Sequence, residues 1–134
     1  MNLLNDTIDN LRELVAYPTI SSDSNLELIE TLATRLEGLG ARVWTEQDAT
    51  GTKASLFAHL GPDVEGGVVL SGHTDVVPVH GQAWDTDPFT LVERNGRLHG
   101  RGTCDMKGFA AIALALAPEM LAAGLKRPIQ IALS

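Results

Sequence analysis

The sequence predicts an α/β domain, layered, with a mixed β-sheet flanked by helices. Three observations carry that reading. Two amphipathic helical segments open the chain and are followed by segments of strand character. Val68-Val69-Leu70 is a short, wholly apolar run of the kind found in a sheet covered on both faces. A late strand–helix–strand succession closes the 134 residues, enough for one domain.

The elements follow in order. Leu3, Leu4, Ile8, Leu11, Leu14 and Val15 recur at helical spacing, which predicts a helix over 3–16 stopped by Pro18. Ser24-Asn25-Leu26-Glu27 matches a capping box, in which serine and glutamate each satisfy an orphan backbone N–H. The helix it opens turns Leu28, Ile29, Leu32, Leu36 and Leu39 inward and ends at Gly38 or Gly40. Residues 42–46 and 53–60 read as strands across a polar turn through Asp48, Thr50 and Gly51. Gly61-Pro62 and Gly66-Gly67 punctuate the loop before the apolar run, and a long loop spans Pro78 to Pro88. Asn95-Gly96 predicts a tight hairpin between strands 89–93 and 97–99. Lys107 to Ala117 is rich in alanine and leucine and predicts a helix, kinked or restarted at Pro118 and closed by Gly124. Residues 128–133 read as a final strand.

Composition narrows the function. The chain is 44% apolar and 20% charged, which excludes wholesale disorder. Seventeen acidic against ten basic residues give a net charge of −7, which argues against nucleic acid as a partner because no basic surface would release counterions. The single cysteine excludes an internal disulfide and points to a reducing compartment. The N-terminus lacks a basic region before an unbroken apolar one. The longest apolar run, Phe109 to Ala117, is far shorter than the roughly 20 residues of a membrane span. The expectation is a cytoplasmic protein without a membrane partner.

The chemistry lies between Leu70 and Gly108. His73 and Asp75 follow the apolar strand, at the carboxyl end where open α/β folds place ligands. Residues two apart in a strand point the same way, so the Asp75 carboxylate is placed to hold the far N–H of the His73 ring, as in oriented metal-bound histidines. Asp105 stands among Gly100, Gly102 and Gly108 at a helix entrance. By spacing alone it reads equally as a helix cap or as a metal ligand. One histidine and one aspartate make half a metal site.

Longer motifs say more. Gly72-His73-Thr74-Asp75-Val76-Val77-Pro78, then Gly81-Gln82, Trp84, Asp87-Pro88-Phe89, and finally Gly96-Arg97-Leu98-His99-Gly100-Arg101-Gly102-Thr103-Cys104-Asp105-Met106-Lys107-Gly108-Phe109 resemble the M20 metallopeptidase and deacylase family. The resemblance runs in order along the whole chain. It implies two metal ions, usually zinc with cobalt as an alternative, bridged by water. His73 matches the ligand of one metal, Asp105 the carboxylate bridging both, and Asp75 the catalytic-site acid that orients the His73 ring. It also implies a cis peptide bond at Asp105–Met106 in the intact enzyme; in this segment cis is expected only if residues 100–108 are otherwise native, and a trans bond or a disordered loop is the expected relaxed state.

The implied activity is hydrolysis of the amide of an N-acyl amino acid, first of all N-acetylornithine, to ornithine and acetate, a step of arginine biosynthesis. The alternatives are a sister activity, desuccinylation of succinyl-diaminopimelate or cleavage of dipeptides, and a non-catalytic module retaining the fold. Relatives continue into a pair of glutamates, one the general base and one a ligand, then further ligands and an inserted dimerisation domain. Residues 1–134 therefore read as the N-terminal portion of a catalytic domain, with the dimerisation domain and the C-terminal half of the catalytic domain lying outside them. The expected partner is a small N-acyl amino acid, with a homodimer for the parent enzyme. The segment by itself is expected to be inactive and to hold metal weakly or not at all.

Other residues invite plainer readings. His99 stands where relatives often have tyrosine and reads as a packing residue, and neither His80 nor His59 matches a ligand. Cys104 has no histidine beside it in sequence, which disfavours a nucleophile. Trp84 and Phe89 read as a loop wall, and Gly100-x-Gly102 is not a dinucleotide fingerprint, since Asp105 takes the third glycine's place.

Overall fold

A computed structural model describes residues 2–134. Helix α1, Leu3–Ala16, is capped by the Asn2 side chain, which accepts from the Asn5 N–H at 3.3 Å. It ends at Tyr17, whose extended backbone precedes Pro18. Helix α2, Leu26–Gly38, buries Leu28, Ile29, Leu32 and Leu36. Its start differs from the expected capping box. Ser24 Oγ accepts from the Leu26 N–H instead. The cap residue Asn25 turns its amide to Ala54, accepting from its N–H at 2.8 Å and donating to its carbonyl at 2.9 Å. A cap side chain has been diverted to tie the helix to the sheet. Leu39, expected on the buried face, is 40% exposed because the helix ends before it. Gly40, at φ 97°, reverses the chain there, and the Ala41 N–H returns to the Leu36 carbonyl.

Six strands follow: β1 Arg42–Gln47, β2 Ala54–Leu60, β3 Val68–Gly72, β4 Val92–Arg94, β5 Arg97–His99 and β6 Ile129–Leu133. The main sheet has the order β1-β2-β6-β3, with β1/β2 and β2/β6 antiparallel and β3/β6 parallel. The mixed sheet flanked by helices is as expected. The short hairpin β4/β5 turns on Asn95 and Gly96, at φ 55° and 68°, the doubly left-handed turn that matches strand twist.

Helix α3, Gly108–Ala122, crosses behind β2, β3 and β6 and packs on α1. It runs through Pro118 without restarting. Ala113, Leu114 and Ala117 are buried around the proline, so packing holds the helix where local propensity would break it. Its small residues let the helix lie close to its neighbours. Leu56, Ala58 and Leu60 of β2 and Ile131 and Leu133 of β6 are fully or almost fully buried beneath the helices. Truncating one of these leucines to alanine costs about 2–5 kcal/mol.

One expectation needs correcting. Val68-Val69-Leu70 does not sit in a doubly covered sheet: β3 is an edge strand, and Val68 and Val69 are 58% and 56% exposed. Apolar content identified a strand but could not distinguish an interior position from an edge. Among the described residues, no helix is long and apolar enough to cross a membrane.

Candidate metal centre

The parallel β3/β6 pair continues past its last named residues. The Ser134 N–H donates to the Gly72 carbonyl and the Thr74 N–H to the Ser134 carbonyl, at 3.1 and 2.6 Å. Thr74 is buried, its hydroxyl also donating to Ser134 and its carbonyl accepting from the Thr19 hydroxyl. The Val76 N–H donates to Thr19 and the Ser21 N–H to Val76. Both residues flanking Thr74 are thus set on a clamped backbone. They are His73 and Asp75.

Their side chains meet as the spacing predicts. His73 Nδ1 lies 3.1 Å from Asp75 Oδ1 and 3.0 Å from the Asp75 backbone carbonyl. Two acceptors at Nδ1 place the proton there and leave Nε2 facing away. The other Asp75 oxygen accepts from the Ser21 hydroxyl.

Asp105 comes from across the cleft. Gly72 permits the approach: a Cβ there would lie 3.0 Å from Met106 and 3.2 Å from Phe109. Gly102, at φ 86°, begins the irregular turn Thr103–Lys107, and the peptide bond Asp105–Met106 is cis, in place of the trans bond or disordered loop expected of this segment. Asp105 caps no helix. Lys107 holds the cap position of α3, without a side-chain cap, and the Asp105 carboxylate instead stands 3.0 Å from His73 Nε2. The two readings left open by spacing resolve toward the histidine.

With a hydrogen on Nδ1, Nε2 presents a lone pair to a carboxylate oxygen. That contact calls for a positive particle between the two, a proton or a metal ion. An imidazole nitrogen and a carboxylate oxygen are donors that zinc takes, and the Asp75 carboxylate behind the ring is the usual support of such a ligand. The donor set therefore fits a divalent metal, with His73 and Asp105 as two ligands. Among the described residues no group of three or more His, Cys, Asp or Glu side chains is arranged to hold an ion alone, since Asp75 lies on the far side of the ring. The cleft has a volume of about 230 Å³, and Asp75 and Ser21 also border a neighbouring cavity of about 440 Å³ that contains no histidine.

Sequence reasoning missed two residues here. Ser21 carries no local motif. Lys107 did carry a signal, as a lone charge at the mouth of an alanine-rich helix. It is 1% exposed, and its ammonium donates to the carbonyls of Leu14 and Tyr17 at 2.8 and 2.7 Å. Burial pushes that ammonium down to about 8, against the pull of the Asp75 carboxylate.

The remaining histidines stand apart. His59 is buried in β2, donating from Nε2 to Pro62 and accepting from the Gln130 amide at Nδ1. His99 is half-buried in β5 and His80 is exposed in the long loop. Cys104 is exposed on the cleft rim. Trp84 forms loop wall, stacked 5.2 Å from the Arg101 guanidinium, and both donate to Gln82 Oε1.

A sequence profile of Peptidase family M20/M25/M40 matches residues 69–134, the stretch that contains His73, Asp75 and Asp105. Over 97% of its length the chain is 39% identical to acetylornithine deacetylase of Shigella sonnei (strain Ss046). The chain resembles the M20 family. Among solved structures, human carnosine dipeptidase 1 is 29% identical over 97% of the chain, with a TM-score of 0.79. The M20 family metallo-carboxypeptidase Sso-CP2 from Sulfolobus solfataricus covers all of the chain with a TM-score of 0.84, and at 22% identity it speaks for the fold alone. The chain spans 36% of the deacetylase and 31% of each of the two solved chains, about a third of its M20 relatives' length.

Proposed function

We propose that this chain is a member of the M20 family, that it is the N-terminal portion of the catalytic domain of a metal-dependent amidohydrolase, and that the whole protein cleaves the amide of an N-acyl amino acid, N-acetylornithine in the first place. One observation carries the reading: His73 Nε2 faces the Asp105 carboxylate at 3.0 Å while Asp75 holds the opposite ring nitrogen. The 39% identity to a deacetylase supports the substrate.

In this reading His73 and Asp105 would hold metal, zinc or cobalt. When bound, the ions supply a water of lowered pKa and polarise the acyl oxygen. The chain's own residues orient. Asp75 keeps the hydrogen on His73 Nδ1 and raises the basicity of Nε2, and Ser21 holds the second Asp75 oxygen. The general base and the other ligands are proposed to lie in the part of the relatives' length that these residues do not span, as is the dimerisation domain of a homodimer.

A second reading, a dipeptidase, is favoured by the 29% identity and TM-score of 0.79 to carnosine dipeptidase 1. The test is a substrate panel on the whole protein with zinc or cobalt, comprising N-acetylornithine, N-succinyl-diaminopimelate and dipeptides. Release of ornithine from N-acetylornithine with the highest kcat/KM supports the first reading. Preference for dipeptides establishes the second. No metal-stimulated hydrolysis of any of them defeats both.

A further inference from the structure

Lys107 has no part in the activity just proposed, yet it is the one charged side chain among the buried residues described. Its ammonium meets two carbonyls, Leu14 and Tyr17, at the end of α1, where the helix dipole is negative; each also accepts one backbone N–H, from Tyr17 and Thr19 respectively. Its stem carries the loop. A Cβ on Gly102 would lie 3.3 Å from Lys107 Cδ and 2.7 Å from Val76 Cγ1, so the backbone at 102 rests directly on the lysine and on the segment that follows Asp75. The Lys107 N–H closes the turn onto the Gly102 carbonyl at 2.9 Å. One side chain thus joins the end of α1 to the loop bearing Asp105, and that loop rests in turn on the Val76 side chain at Gly102.

An apolar side chain would fill the same volume. It would leave each carbonyl with its backbone donor alone, the Tyr17 N–H for Leu14 and the Thr19 N–H for Tyr17, and it would let the loop slide, because apolar contact has no preferred direction. A cation held by two fixed carbonyls specifies a position. We propose that Lys107 is a positioning residue: by pinning the turn Thr103–Lys107 to the C-terminal end of α1, it sets the Asp105 carboxylate opposite His73 Nε2. The proposal rests on the metal reading for its consequence, and on the contacts alone for its geometry.

The experiment uses the 134-residue chain with Lys107→Met and Lys107→Arg, the latter keeping charge and donors at a longer reach. Two readouts are taken: cobalt(II) titration followed by visible absorption, and, without metal, amide hydrogen exchange together with the His73 ring resonances, which sense the carboxylate beside Nε2. In folded Lys107→Met, exchange at the amides of Thr103 and Lys107 is expected to quicken at least tenfold and the His73 ring signals to shift, with β2 and β6 protected as before. Cobalt affinity is expected to fall at least tenfold. Lys107→Arg is expected to show the same changes at three- to tenfold. If Lys107→Met does not fold, Lys107→Arg decides alone.

Wild-type loop exchange and His73 signals in either folded variant overturn the proposal. Failure of the unmutated chain to take up any cobalt is compatible with a site of two ligands, and the metal-free readout then decides the proposal. Altered loop exchange with unchanged cobalt affinity also overturns it, since the loop would then have moved without moving Asp105.

Discussion

His73 Nε2 and Asp105 Oδ1 stand 3.0 Å apart across 32 residues of sequence, with the Asp75 carboxylate 3.1 Å from the other ring nitrogen. The imidazole thus lies between two carboxylates. The asymmetry of the surroundings separates their roles. Asp75 is tied to Ser21 on a clamped backbone, whereas Asp105 has an 84% exposed side chain on a turn facing the cleft. One carboxylate supports the ring, and the other is free to take a ligand's place.

Two protein ligands hold zinc poorly, since zinc sites use three or four. The 134-residue chain dialysed against a mild chelator is expected to retain well under one equivalent of zinc and to show no deacylase activity. Elemental analysis checks the first and ornithine release the second. A tightly held metal pair would show that the missing ligands are not needed.

Asp75→Asn keeps a hydrogen-bond acceptor for His73 Nδ1 but removes the charge that raises the basicity of Nε2. In the whole protein, metal content is expected to remain nearly intact while kcat falls about 10–100-fold. Full activity in this variant would reduce Asp75 to a turn residue.

Gly102 and Gly81 both have positive φ, 86° and 77°, and differ in their surroundings. A Cβ at Gly102 meets Val76 at 2.7 Å, while one at Gly81 meets nothing within 4 Å. Gly81→Ala is expected to cost about 1 kcal/mol, from backbone strain alone. Gly102→Ala adds overpacking and is expected to cost about 2–4 kcal/mol. Urea unfolding of the two variants reads the difference, and equal costs would show that the loop yields freely around Val76.

The Thr50 hydroxyl, bonded to both Asp48 oxygens, is the main cause holding that carboxyl below the usual aspartate range, with the Lys53 N–H assisting. Its folded value lies below its unfolded one, so the stability it contributes is present above the unfolded value and disappears as pH falls through the folded value. Thr50→Ala is expected to move the Asp48 titration upward and to remove that part of the acid dependence. Carbon NMR of the side-chain carboxyl measures the shift directly, and an unmoved titration would assign the effect to the backbone N–H groups.

Elements whose signal is local were legible in the sequence. The periodic helices α1 and α2, the Asn95-Gly96 hairpin and the strands at 42–47, 54–60 and 129–133 all appear within a few residues of their expected bounds. His73 and Asp75 were legible as a pair because two residues at a strand end share a side. Where local signals competed with packing they misled. Ser24-x-x-Glu27 spelled a cap, but the helix takes Asn25 as its cap residue and that side chain bonds Ala54 of the sheet instead. Pro118 spelled a kink or a restart, and α3 continues through it without restarting, its neighbours buried.

By itself the sequence determined the α/β class, the family motifs and the identity of the three candidate residues, since each rests on residue types at short, fixed spacing. Only the tertiary structure decided that Asp105 turns to His73 rather than capping α3, that Ser21 reaches Asp75, and that Lys107 is anchored to the end of α1. Those contacts join residues 32, 54 and about 90 positions apart. No local pattern encodes them. They arise when the β3 edge, the irregular turn and the C-terminal end of α1 are packed against one another, and the physical reason is that a side chain's partner is chosen by what burial brings within hydrogen-bond reach.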